Sequence, residues 1–373
     1  MQKIFFFLLN LLLLTNLTAC IKEVRGISAL NIDVRVLIKH DQEFAVKPDS
    51  RYIFETQDKS IITSGNMLLA YHNDGITVNG RLLETDKITV KGLRSFEVNG
   101  DHYRGSFVIL REDGRLSMIN YINIEEYLFS VVPKEIYPSW SYETLKAQTI
   151  ASRTYALYQV RNKDRSKTDF DLYSDTRSQV YLGTKVENHR VSKIVSETAG
   201  QVITYNGSLI KSYFHSSSGG SLSSGSEILD PSPYLAGKPS YIQEKDPSKQ
   251  WSIELELETI KNEYGLMGDI VLFEVATKFS SGRIDKIKIQ DSTGHIALID
   301  GYKLRQFLGQ TKMKSTLAKI SPIKDGTVTI VGTGYGHGVG MGQWDAEAMA
   351  LQGCNYEAIL GFFYQDVQIN TIY

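Results

Sequence analysis

The stretch YINIEEYLFSVVPKEIYPSWSYETLKAQTIASRTYALYQ, residues 121–159, decides how the rest of the chain is read. IEEYLFSVV predicts a short helix, VPKEIYPSW a break, and the residues from about Ser141 to Arg161 a long helix. Ser139 or Ser141 can serve as its N-cap, and Leu145, Ile150, Ala151, Tyr155 and Leu157 supply its apolar positions. Glu135 lies between Pro133 and Pro138, in a segment that the prolines keep out of both helices. Its neighbours Val131, Val132, Ile136, Tyr137 and Trp140 are apolar or aromatic, so desolvation can raise its pKa as a general acid at neutral pH requires. A solvated loop glutamate is the other reading of the same residues. In the long helix, Lys146 and Arg153 are two turns apart and share a face, which would line a groove with positive charge or form an exposed stripe.

Upstream, residues 31–120 read as short β-strands, among them IDVRVLI, KITVKG and GSFVILRED, separated by Asn-Gly and Asp-Gly turns. They predict a meandering antiparallel lobe. Further upstream, MQKIFFFLLNLLLLTNLTAC has an apolar run too short to span a bilayer, so residues 1–19 read as a secretory signal. The small residues before Cys20 are similar to a bacterial lipobox, which makes Cys20 the lipidated first residue of the mature chain, with residues 20–30 as a linker. The protein is then expected outside the cytoplasm, held to a membrane by its lipid; with two membranes, Ile21 favours the outer one.

Downstream, a second helix is expected over about Lys185–Thr198, then strands QVITY and LIKSYFH, and a Ser/Gly segment, SSSGGSLSSGS (216–226), that reads as a site loop. The last third alternates strands (IELELE, IDKIKIQ, HIALID, TVTIVG) with helices near Tyr302–Leu308 and Asp345–Ala350. GYGHGVGMGQW (334–344) lacks the Gly-Lys-Ser/Thr of a phosphate loop, so its glycines serve tight turns and close backbone approach. His337 and Gln343 either hydrogen-bond a ligand or hold the fold.

The whole chain has 373 residues, 41 Lys+Arg against 42 Asp+Glu and a formal charge of −1, which excludes bulk electrostatic binding of nucleic acid. Its 42% hydrophobic content is ample for packed cores, and two cysteines exclude a disulfide framework. Cys354, in AMALQGCNYEAIL, reads as a small core residue of a helix-like stretch. One histidine, His215, without nearby cysteines does not make a zinc site, so no metal and no cofactor is expected.

The blocks IEEYLFSVVPKEI, LKAQTIASRTYAL, SDTRSQVYLG, ETAGQVITYNG, YFHSSSGGS and GYGHGVGMGQWDAEAMA, with the weaker SGR at 281–283, resemble in family order the SpoIID/LytB family. The resemblance covers about residues 31–368 and implies peptidoglycan as substrate. It implies a lytic transglycosylase that cuts peptide-stripped glycan strands, with Glu135 as the acid and Lys146 and Arg153 implicated in activity. Tyr137, Gln148, Tyr213, His215, Ser216, Ser217, His337 and Gln343 are then expected to bind substrate. The family's other branch implies a non-catalytic enhancer of a partner amidase. Asp175, in SDTRSQ, is the obvious second carboxylate, though such a segment also makes an Asx-turn. Gly342 and Asp345 stand where the family often has Ser and Gly, and relatives that hold zinc carry cysteines this loop lacks. The fold expected is mixed α+β, with a β-rich lobe over residues 31–120, a core over 121–373, a central long helix and a groove between lobes.

Overall fold

A computed structural model describes residues 32–373; the expected signal segment, Cys20 and the linker lie outside the described residues. The chain forms a mixed α+β fold of two compact units. Among the described residues, the first contains residues 32–140, Gln148–Lys211 and Ile369–Tyr373; the second contains Ser141–Ala147 and Ser212–Gln368.

In the first unit, Asp33–Asp41 pairs antiparallel with Arg115–Asn123, which pairs with Ser106–Glu112, within a seven-stranded sheet. A six-stranded sheet is centred on Glu43–Pro48 and Met67–His72. Alternating burial along the strands places Val34, Val36, Phe44, Val46, Ile88, Val90 and Phe107 inside. The Asn-Gly turns form as expected: Asn79 and Asn99 have φ of 51° and 49°, and each is followed by a positive-φ glycine. Their side-chain oxygens also accept from Leu68 N and Ala45 N, so the asparagines tie the turns to neighbouring strands.

Helix α1, Ile124–Glu135, starts at Asn123, whose side chain accepts from Glu125 N. It extends through Pro133, so Glu135 is its last residue rather than part of a separate break. Proline's fixed φ is compatible with a helix, and its missing N–H removes only one bond near the end. Ile136 N–H still bonds Val132 O at 3.1 Å. Helix α2, Tyr142–Asn162, matches expectation to within a residue, and is buried all round from Thr144 to Thr154 except for Lys146. The expected helix over 185–198 is a 3₁₀ turn, Gly183–Val186, followed by helix α3, His189–Glu197, capped by Asn188. The strand expected over 209–215 exists only at its ends, as Ser208–Leu209 and Phe214–His215.

In the second unit, Phe214–His215 pairs in parallel with Met341–Gly342, and Ser221–Leu222 pairs with Lys238–Pro239. The Ser/Gly segment is therefore partly ordered as strand, and it leads into a short helix α4, Gly225–Ile228. Residues 251–330 form a module with its own apolar core, including Trp251, Ile260, Phe273, Ile287, Leu304 and Ile330. Its two three-stranded sheets run in the order Trp251–Glu256, Thr327–Gly332, Ala318–Ile320 and Ile270–Lys278, Ile284–Asp291, Ile296–Asp300. Helices α5, Leu257–Glu263, and α6, Gly301–Leu308, belong to this module; α7, Gln343–Leu351, and α8, Tyr356–Phe363, follow. Cys354 lies in the turn between α7 and α8, a half-buried free thiol rather than a helical one.

Candidate functional site

Glu135 ends α1 half-buried, and its carboxylate accepts the backbone N–H of Val180 at 3.2 Å. Burial raises its pKa, opposed by that hydrogen bond and by the charge of Lys134. The segment carrying Val180 is strapped onto α1. Leu182 N–H donates to Ser130 Oγ at 3.1 Å, Tyr127 hydroxyl donates to Gln179 at 3.2 Å, and the Tyr127 and Tyr181 rings stack 5.3 Å apart. Burial and the Glu135 charge together push the Tyr127 phenol well up, so it remains a neutral donor. Just after it in the chain, Tyr137 is 56% exposed and its ring lies 5.2 Å from that of Trp140, an open aromatic pair of the kind that stacks on sugars. Arg190 fixes the same turn by donating to Pro138 O at 2.6 Å.

Asp175 closes an Asx-turn, accepting from Arg177 N at 2.9 Å, and its carboxylate pairs with the Arg177 guanidinium at 2.6 Å. That pair lowers its pKa, the opposite direction from Glu135. The two carboxyls are thus shifted in opposite directions, Glu135 up by burial and Asp175 down by its arginine.

Arg153 does not present to a surface. Its side chain is 0% exposed and forms a two-pronged pair with Glu125 at 2.8 and 2.6 Å, with further bonds to Gln201 O and Val195 O. The helical spacing from Lys146 is as expected, but a helix buried on every side has no free face for that spacing to mark. Gln148 is also fully buried and donates to Ser152 Oγ at 3.0 Å. Lys146, in the second unit, sits 3.5 Å from Glu143 and over the rings of Tyr142 and Tyr356 at 4.9 and 5.3 Å.

The remaining expected residues gather in the second unit. The His215 and His337 rings lie 5.2 Å apart, and Tyr213 meets His337 edge-on at 6.0 Å. His337 Nε2 bonds Phe214 O at 3.1 Å and its Nδ1 accepts from Val339 N at 3.0 Å, while His215 Nδ1 lies 3.2 Å from Val339 O. Burial, with the charges of Arg283 and Arg305, holds both rings neutral, His337 down to about 4. Ser216 O accepts Trp344 N–H at 2.9 Å, Ser217 Oγ donates to Asp246, and Gln343 is buried at the start of α7. These groups hold the strand pair and the glycine-rich turn together. Among the described residues, no cluster of three or more His, Cys, Asp or Glu is placed to hold a metal ion.

Three residues to which the sequence assigned no role organise this region. Arg283, the arginine of SGR, is fully buried and donates to Ser218 O and Ser221 O at 2.8 and 3.0 Å. A Cβ on Gly338 would lie 2.3 Å from its guanidinium, which explains one of the glycines in GYGHGVG. Asp345 accepts from Ser218 N, Ser218 Oγ and Ser240 Oγ, and a Cβ on Gly342 would meet its carboxylate at 2.3 Å. The two positions noted as departures from the family pattern therefore share one space. Glu347 accepts from Ser141 N, Ser141 Oγ and Thr144 Oγ1, fixing the first turn of α2. The sequence signal for Asp345 and Glu347 is two acids in the otherwise apolar helical run DAEAMA.

Glu135, its pKa raised by burial, and the open Tyr137–Trp140 pair just after it in the chain give this segment a carboxyl and an aromatic surface suited to sugar. The model of the Stage II sporulation protein family, SpoIID, matches residues 112–205, which contain α1, α2 and the Val180 strap. A domain of unknown function, DUF8618, matches residues 244–340. An uncharacterised protein of Brachyspira hyodysenteriae is 31% identical over 323 residues, covering 85% of this chain and 86% of that protein. The Amidase enhancer of Bacillus subtilis is 31% identical over 65% of this chain and 40% of its own length, and Stage II sporulation protein D of the same organism is 28% identical over 68% and 76%. The chain belongs to the SpoIID/LytB family, and its role is peptidoglycan-related.

Proposed function

We propose that this chain is a lytic transglycosylase that cuts peptidoglycan glycan strands between N-acetylmuramic acid and N-acetylglucosamine, with Glu135 as acid and then base. The observation that carries this reading is the raised pKa of Glu135 at the end of α1, just before Tyr137 and Trp140 in the chain. The protonated carboxyl donates to the leaving O4 as the C1–O4 bond breaks. The resulting carboxylate takes the proton from the muramoyl C6 hydroxyl, whose oxygen bonds C1 and closes a 1,6-anhydro ring. Glu135 returns to its starting state and no water is consumed. A hydrolase needs a second free carboxylate; the occupation of Asp175 by Arg177 supports the one-carboxylate route.

We place the protein outside the cytoplasm, anchored through Cys20, where such a substrate lies. The likeness to a protein named Amidase enhancer, together with the burial of Arg153, supports a second reading: a non-catalytic glycan-binding partner of an amidase. One assay separates the two. The soluble chain lacking residues 1–20 is incubated with intact and peptide-stripped glycan strands, and 1,6-anhydro ends are counted by mass spectrometry. The enzyme reading expects such ends from the wild type and their loss in Glu135→Gln. No ends from either substrate, with accelerated turnover of an added amidase, would establish the enhancer instead.

A further inference from the structure

The module that contains residues 251–330 has two adjoining cavities, of about 680 and 650 Å³, that share Lys278 and Lys319. The first runs along residues 271–275 of strand Ile270–Lys278 and along residues 319–323. Successive side chains of a strand point to opposite faces, so a cavity lined by consecutive residues follows the backbone edge. Ile270–Lys278 and Ala318–Ile320 are both outer strands of their sheets, which leaves a line of backbone donors and acceptors beside the cavity. The second cavity is lined by Lys249, Lys278 and Lys319 around Leu317, Val331 and Thr333, with no carboxylate in its wall. Glu274 is the one acid in the first. Lys249 pairs with Glu244, whereas Lys278 and Lys319 form no ion pair among the described residues.

Backbone edges select an extended peptide, and the unpaired lysines select negative charge. We propose that this groove docks an extended, carboxylate-bearing peptide, and specifically the stem peptide that branches from the glycan on which the proposed reaction takes place. This rests on the peptidoglycan reading but not on Glu135. Small apolar side chains of such a peptide fit against Leu317 and Val331, and its free carboxylates face Lys278 and Lys319. The protein would thereby hold a strand by a branch that still carries its peptide while cutting where peptides have been removed.

The probe is the N-acetylated stem tetrapeptide L-Ala-γ-D-Glu-meso-diaminopimelate-D-Ala, titrated calorimetrically into the soluble chain beside the same peptide with its carboxylates amidated. Saturable binding of the acidic form is expected, with affinity weakened at least about tenfold by amidation and by Lys278→Glu/Lys319→Glu. The milder pair Lys278→Gln/Lys319→Gln, whose folding is checked by circular dichroism, should weaken it in the same direction. Release of anhydro ends from peptide-free strands should be unchanged in both pairs. Equal binding of the amidated peptide, or unaltered binding by both lysine pairs, would overturn the proposal. Absence of anhydro ends from the wild type with peptide binding intact would overturn the transglycosylase reading and leave the groove assignment standing, so the two readings fail separately.

Discussion

The two ends of α1 carry carboxylates ten residues apart, about 15 Å along the axis, and the helix uses them in opposite ways. Glu125, in the first turn, sits where the helix dipole favours a negative charge and accepts from Arg153, Gly200 N and Tyr373 hydroxyl. Glu135, the last residue, sits where the dipole opposes the charge; burial raises its pKa and Val180 N–H is the hydrogen bond that opposes the rise. The first carboxylate is satisfied and holds α1 against α2 and the strand Gln201–Tyr205. The second meets burial and the helix dipole together, and burial is what raises its pKa. Residue type and helix are the same, so position and partners alone set the two carboxyls apart, and under the proposed reaction the second is the proton donor.

The largest test of that contrast is Glu125→Gln, which leaves the buried Arg153 guanidinium without its counter-charge and should cost about 3–5 kcal/mol. The urea midpoint at neutral pH measures it. A loss near zero would mean that the pair is dispensable and that the two ends of α1 do not differ as argued.

The second unit offers a pH test with a different sign. His337 titrates near 4 in the folded protein against 6.5 when free, because burial and the charges of Arg283 and Arg305 disfavour its cation. As pH falls below 6.5 the unfolded chain takes up the proton and the folded chain does not, so stability falls progressively until about pH 4. The loss from this group is at most about 3 kcal/mol. Histidine C–H resonances followed by NMR should show no protonation of His337 above pH 5; titration near 6.5 would show that the arginines do not control it.

Glu135→Gln should behave as the converse of Glu125→Gln, leaving stability unchanged or slightly higher at pH 7. A raised folded pKa means that the ionised wild type is penalised above the unfolded value, so the advantage of Gln should shrink as pH falls toward 4.5 and Glu135 becomes protonated. Glycan cleavage by the wild type should decline on the alkaline side as that proton is lost. Destabilisation of Glu135→Gln comparable to Glu125→Gln would end the distinction between the two carboxyls.

Much of this arrangement is readable locally and some of it is not. The Asn79 and Asn99 turns and the bounds of α2 follow from residue types a few positions apart, and they form where expected. Pro133 misleads because a proline near a helix end removes one bond without stopping the chain, so α1 runs on to Glu135. The segment 216–226 reads as loop because serine and glycine are common in loops. Its buried hydroxyls and carbonyls are claimed by Asp246, Arg283 and Asp345, all distant in sequence. The same long reach hides why Gly342 and Asp345 go together, since the carboxylate occupies the room a side chain at 342 would need.

The smallest expected effect is the most discriminating for mechanism. Asp175 is half-exposed, is held by Arg177 and sits in an Asx-turn, so Asp175→Asn keeps the turn's acceptor and removes only a surface ion pair. Its effect on stability should be below about 0.5 kcal/mol. If Glu135 acts alone, the yield of 1,6-anhydro ends should be the same in this variant as in the wild type. A hydrolytic mechanism would need Asp175 free to activate water or to attack the sugar, and the variant would then lose cleavage by about 10²-fold or more. An unchanged yield together with its loss in Glu135→Gln would assign the chemistry to the carboxyl that the helix end disfavours, and leave Asp175 with the loop it closes.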